Sequence, residues 1–266
     1  MKTLPSGGLR LPAGAGLARM LIERNLRAAR HGWVTLMSGF FEPVFYLFSM
    51  GVGVGSMVGT IETGAGPVPY AAWVAPALMA TSSMNGAVYD SVFNIFAKLH
   101  YVKLYDSVLA TTMGARDVAL GEIGWALLRG LAYSTLFYLV LVLAGLSGSW
   151  HSVLAVPLSS LVGFAFAGVG MAAATYMRSW QHTEYVQLAL IPLFLFSATF
   201  YPLTTYPPLL RHVVAATPLY QGVAMLREVM LGQIGWALLG HISYLAILGL
   251  AGMLVASRRL ESLMYR

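Results

Sequence analysis

Glu42 and Arg129 are the side chains whose chemistry conflicts most with their surroundings, because each stands inside a long apolar run. Glu42 lies nine residues in from Trp33, and Arg129 six in from Ile123. At 1.5 Å of rise per residue, these positions are ~14 and ~9 Å along their helices. An ionised group at the middle of a membrane helix costs roughly 2.5–3.5 kcal/mol, so each requires a partner or a water-filled cavity. An ion pair between Glu42 and Arg129 is one solution, and separate snorkelling of each group to the interface is the other. Pro43 removes a helical hydrogen bond directly after Glu42, which predicts a kink at that depth.

Aromatic residues gather near the same positions. Phe41, Phe45 and Phe48 form an i, i+4, i+7 stripe, and Phe194, Phe196 and Phe200 enrich the end of a later span. These six are candidates to line a path for an amphiphile, and packing or lipid contact is the plain alternative. The other carboxylates near the spans, Asp90, Asp106, Asp117 and Glu122, stand at the end of an apolar run or in the loop that follows. A proton relay needs carboxylates at membrane depth, and only Glu42 clearly qualifies.

Several catalytic chemistries are excluded. No Lys follows a Gly, so there is no phosphate loop and the chain is not itself a P-loop ATPase. The six histidines are scattered without the i, i+4 spacing of a helical zinc site, and there are no cysteines. No metal and no bound cofactor is expected.

These residues are carried by an apolar chain of 266 residues, 58% hydrophobic and only 10% charged, a composition foreign to soluble domains. The apolar runs are continuous and rich in Leu, Ala, Val and Gly rather than alternating, which selects helices over a barrel. Six spans are predicted: Trp33–Val58, Tyr70–Phe93, Ile123–Leu146, Ser152–Met177, Tyr185 to about Pro202, and Gly235–Ser257. Thirteen of the 16 Lys and Arg fall in the N-terminal tail, the loops after spans 2 and 4, and the C-terminal tail. The positive-inside bias makes that side, with both termini, cytoplasmic. The same bias accounts for the net charge of +6 without nucleic acid.

Residues 14–32 read as an amphipathic helix lying on the membrane surface, or as a basic tail that only sets topology. The apolar run that follows is longer than a signal-peptide core, so no cleaved leader is expected. Between Phe200 and Ile234, Pro202, Pro207, Pro208 and Pro218 break the chain. Two short helices dipping into the outer leaflet fit this segment, opened by Pro208 and Pro218 with Arg211 and Arg227 lifted to the headgroups. An ordinary outer hairpin is the alternative. Gly51, Gly55 and Gly59 form a weak G-x-x-x-G signal for a helix seam. The organisation is a tail and interface helix (1–32), one membrane domain (33–257) and a short cytoplasmic tail (258–266).

The segment Lys103-Leu-Tyr-Asp-Ser-Val-Leu-Ala-Thr-Thr-Met-Gly-Ala-Arg-Asp-Val-Ala-Leu-Gly-Glu122 resembles the cytoplasmic loop of type-2 ABC transporter permeases. Thr112 stands where that family has proline. The resemblance extends to Phe41-Glu-Pro-Val-Phe-Tyr-Leu, to Phe196-Ser-Ala-Thr-Phe-Tyr-Pro-Leu, to Ala216-Thr-Pro-Leu-Tyr and to Leu226-Arg-Glu, in order along most of the chain. The branch it looks most like is that of nodulation-factor export and antibiotic-resistance permeases.

The resemblance implies an all-α membrane protein with six spans, an N-terminal interface helix and outer re-entrant helices between spans 5 and 6. It also implies an exporter subunit of the bacterial plasma membrane, paired with a second permease chain, identical or not. The work would come from a separate nucleotide-binding ATPase that holds the ATP and Mg. Tyr105, Asp106, Arg116, Asp117 and Glu122 are then the residues expected to couple to that ATPase, with ordinary interfacial anchoring as the alternative. The cargo class stays open among drugs, lipid-linked saccharides and polyketides. The competing functions are a proton-coupled carrier and a membrane-embedded enzyme or assembly factor for lipid-linked sugars; the latter needs a polar constellation at one interface, and none is visible.

Overall fold

The computed structural model describes residues 15–31, 33–63, 66–101, 114–147 and 149–264. The predicted N-terminal helix is α1 (Ala15–His31), which buries Ala18 and Leu21 and leaves Arg19 and Met20 exposed. The first span is α2 (Trp33–Phe48), which runs through Pro43 unbroken. Its irregularity falls further on, in a π-helical turn (Ser49–Val54) that leads into a last turn, α3 (Gly55–Val58). The expected all-α fold also acquires a small hairpin here. Strand β1 (Thr60–Thr63) pairs antiparallel with β2 (Gly66–Pro69), Thr60 opposite Pro69. Gly59, at φ +71°, makes the turn out of α3 in a conformation that a side chain rarely adopts.

The central element is α4 (Tyr70–Val88), which passes through a second π-helical turn (Tyr89–Asn94) into α5 (Ile95–His100). It packs against α2, against α6 (Ala115–Leu143), against α7 (Ala155–Ala174) and against α10 (Pro218–Met230). Encirclement explains its composition, since small residues such as Ala75, Ala77 and Ala80 are fully buried and admit close neighbours. Next in the chain come α8 (Gln181–Leu195) and the short α9 (Pro208–Ala216). Both α9 and α10 open on the proline the sequence singled out, where the missing N–H costs nothing. The chain ends in α11 (Ala237–Met264).

Among the described residues, four helical stretches are long and apolar enough to cross a membrane: Phe41–Val58, Asp117–Leu143, Trp150–Ala174 and Ala237–Leu263. The other two predicted spans differ for physical reasons. The α4–α5 run carries Thr81, Ser82, Ser83 and Asn85 inside the bundle, and α8 has only 15 residues, ~22 Å of helix. Span 3 also starts earlier than predicted, at Ala115, so Arg116, Asp117 and Glu122 belong to the first turns of α6 and not to a loop.

A close helix crossing between α7 and α11 is made by glycine. A Cβ on Gly168 would sit 2.5 Å from the Gly249 carbonyl oxygen, and one on Gly252 would sit 2.4 Å from the Gly168 carbonyl carbon. The G-x-x-x-G stretch of the π turn and α3 serves an internal seam as well, because a Cβ on Gly51 would meet Ala71 of α4 at 3.2 Å.

Candidate functional site

The π-helical turn after α4 turns Asp90 inward, where its side chain is 5% exposed. Arg129 of α6 reaches it with Nη1 3.0 Å from Asp90 Oδ1, and Asn94 Nδ2 donates to the same oxygen at 2.7 Å. The guanidinium also lies over the rings of Tyr89 and Tyr133, at 5.9 and 5.6 Å from their centroids. Arg129 is therefore partnered, but by Asp90 and not by Glu42 as the depth argument suggested. Counting along single helices could not see that the π turn after α4 brings Asp90 to Arg129, while Glu42 and Arg129 line one cavity without bonding. Arg129→Leu is expected to leave Asp90 buried without its cation and to cost about 2–3 kcal/mol of stability. Thermal unfolding in detergent measures this, and the swap of Asp90→Arg with Arg129→Asp is expected to recover part of the loss. Exchanging Glu42 and Arg129 is expected to recover none.

Beside this pair lies a cavity of about 590 Å³ between α2, α4, α6 and α8. Its lining includes the hydrogen-bonding side chains Thr81, Ser82, Asn85 and Gln187. On the same helices it also includes the apolar Leu78, Leu190, Ile191 and Phe194. Arg129 and Glu42 are its charged members. Glu42 is exposed and makes no ion pair or hydrogen bond with another described residue. Glu42 and Tyr46 also line a second space, a groove of about 730 Å³ formed with Phe41, Phe45 and Ser49.

The six predicted path aromatics divide accordingly. Phe194 lines the cavity and packs edge-on to Phe200 at 5.2 Å and to Tyr46 at 6.1 Å. Phe41 and Phe45 stack at 5.9 Å and line the groove. Phe48 is exposed, and Phe196 faces Tyr206 at 6.4 Å; neither lines either space.

A second polar centre joins α1, α5 and α6. Glu122 is 4% exposed and accepts from Lys98 Nζ at 2.6 Å and from Asn25 Nδ2 at 3.1 Å, with Arg24 Nη2 3.6 Å from its other oxygen. Close approach of α1 is permitted by Gly121 and Gly124, where a Cβ would fall 2.9 Å from Leu21 and 3.0 Å from Ile22. Burial removes Glu122 from direct contact with an outside partner and makes it a joint between elements. Asp117 has a local task, accepting from the Gly114 backbone N–H at 3.1 Å and so capping α6. Tyr105 and Asp106 lie outside the described residues, and Arg116 is placed only as a member of the first turn of α6.

Arg227 departs from expectation. It does not reach outward but is buried, stacked on Trp73 at 3.7 Å, and donates to the carbonyl oxygens of Trp73 and Ala198. It thereby ties α10 to the start of α4 and to the turn after α8, where Ala198 adopts φ +53°. Arg211 behaves similarly on a smaller scale, donating to Thr204 and Tyr206. The Ala198, Thr204 and Tyr206 carbonyls lie in turns outside the α-helices, and no sequence pattern announces which cation will take them.

The helical bundle, with four stretches able to cross a membrane among the described residues, is that of a multi-pass membrane protein. The chain belongs to the ABC-2 type transporter family, whose model matches residues 17–231. Members of that family are transport subunits rather than catalysts, and membership implies an ATP-binding partner. The chain is 31% identical over 228 residues to nodulation protein J of Sinorhizobium fredii, covering 85% of each chain. It is 28% identical over 267 residues to nodulation protein J of Rhizobium leguminosarum bv. viciae, covering 99% of this chain and 98% of the relative. The corresponding protein of Azorhizobium caulinodans is 22% identical over 247 residues.

Proposed function

We propose that this chain is the permease half of an ATP-driven exporter that moves an amphiphile outward across the bacterial plasma membrane. The observation that carries the reading is the cavity between α2, α4, α6 and α8, lined by both polar and apolar side chains and joined at Glu42 and Tyr46 to an aromatic groove. In this arrangement α2, α4 with α5, α6, α7, α8 and α11 are the six spans. Both termini are cytoplasmic, α1 lies along the inner surface, and α9 and α10 form the re-entrant pair on the outer side. Two permease chains assemble with two ATPases that bind ATP and Mg.

Coupling follows from the Glu122 joint. An ATPase that presses on the segment containing Tyr105, Asp106 and Arg116 displaces the start of α6, and Glu122 transmits that displacement to α1 and α5. ATP shifts the balance between inward and outward states only if the ATPase contacts differ between them.

Affinity purification of the tagged chain in mild detergent, followed by an ATPase assay, tests this reading. A nucleotide-binding subunit is expected to co-purify, and Arg116→Ala with Asp117→Asn is expected to weaken its retention. Recovery of the chain with no nucleotide-binding partner would reject it. Transport that survives ATP depletion but stops with the proton gradient would favour the carrier.

A further inference from the structure

Charge within the cavity is unbalanced. Among its lining residues, Arg129 is neutralised by Asp90 at 3.0 Å, whereas the Glu42 carboxylate has no cation among the described residues. An ionised carboxylate at membrane depth is costly, and nothing else on the cavity wall offsets it. Tyr46, Tyr89, Phe93 and Phe194 line the same cavity, and aromatic ring faces attract cations. From Glu42 and Tyr46 the cavity continues into the groove of Phe41 and Phe45, which is apolar apart from Glu42 and Ser49.

We infer that this site selects amphiphiles with a positively charged head, an amine or quaternary ammonium group, held at Glu42 with the apolar tail laid along Phe41 and Phe45. The inference rests on the reading of the cavity as the substrate path. Glu42 is the specificity-determining residue. Asn85, Ser82 and Gln187 supply hydrogen-bonding positions for further polar groups on the head, and the Asp90–Arg129 pair keeps Arg129 from neutralising Glu42 itself.

Binding is measured on the purified chain in nanodiscs of zwitterionic lipid, with radiolabelled dodecyltrimethylammonium as probe and empty nanodiscs as the partition control. Saturable binding is expected, displaced about tenfold better by the unlabelled ammonium than by dodecanol or dodecyl sulfate, the scale of one favourable charge contact. Glu42→Gln is expected to abolish that preference, Glu42→Asp to keep it, and Glu42→Lys to turn it toward dodecyl sulfate. A readout without variants is carbodiimide modification of Glu42, which the ammonium should block and dodecyl sulfate should not. Equal displacement by all three amphiphiles, an unchanged preference in Glu42→Gln, or no protection of Glu42 would overturn the inference. The assay contains no ATPase, so co-purification of an ATPase together with failure here would leave the exporter reading standing and remove only the cationic class.

Discussion

Glu122→Ala is expected to be among the most damaging single substitutions in this chain, lowering stability by about 3–5 kcal/mol, the range for removing one partner of a buried ion pair. The side chain is 3% exposed, and Lys98, Arg24 and Asn25 all converge on it. Its loss leaves Lys98, itself only 20% exposed, without a counter-charge and frees α1 from the start of α6. Glu122→Gln keeps the shape and one acceptor oxygen but loses the charge, so a smaller loss is expected. Thermal unfolding in detergent gives the magnitude. Hydrogen exchange across residues 15–31 gives the location, with protection of α1 falling while that of α7 and α11 is retained. Equal loss of protection in all three helices would show that Glu122 supports the bundle generally instead of joining α1 to it.

Gly168→Val is the second. The Cβ alone would stand 2.5 Å from the Gly249 carbonyl oxygen and 3.3 Å from the Gly249 Cα. The obstacle is backbone, so no rotamer change relieves it and α7 and α11 must separate. Overpacking of a close crossing costs on the order of 3 kcal/mol, and the membrane supplies no hydrophobic compensation because lipid solvates the parted faces as well as the partner helix does. The purified variant is expected to unfold at lower temperature and to aggregate. Gly130→Ala on α6 is the control, since nothing lies within 4 Å of its added Cβ, and little change is expected. A stable Gly168→Val protein with native chromatographic behaviour would mean that the crossing is looser than its geometry indicates.

The pairing of Arg129 shows where the sequence was legible and where it was not. That Arg129 needed a partner followed from its apolar context, since burial of an unpaired charge is penalised in any fold. Which carboxylate it would find depended on the π-helical turn at Tyr89–Asn94, which aims Asp90 at α6. The prolines at 208 and 218 were legible for a local reason, as each opens a helix in the way its fixed φ favours. Arg227 was misjudged because snorkelling assumes nearby water, whereas its partners are carbonyls from α4 and the turn after α8. The β1–β2 hairpin left no alternating pattern long enough to distinguish it from an ordinary loop.

The sequence by itself determined the solvent and the class. Continuous apolar runs make this a membrane-spanning helical protein, and the motifs at 41–47, 103–122, 196–203 and 216–220 carry the resemblance to ABC-2 permeases that the family match bears out. Those features act one residue or one helix at a time, so they survive without knowledge of packing. Tertiary structure alone decided which charges meet, that Glu122 is a buried joint and Glu42 a carboxylate with no ion pair among the described residues, and that Gly168, Gly249 and Gly252 form a close crossing. Each of these depends on contacts between helices far apart in the chain, set by rotation and register that hydropathy does not encode.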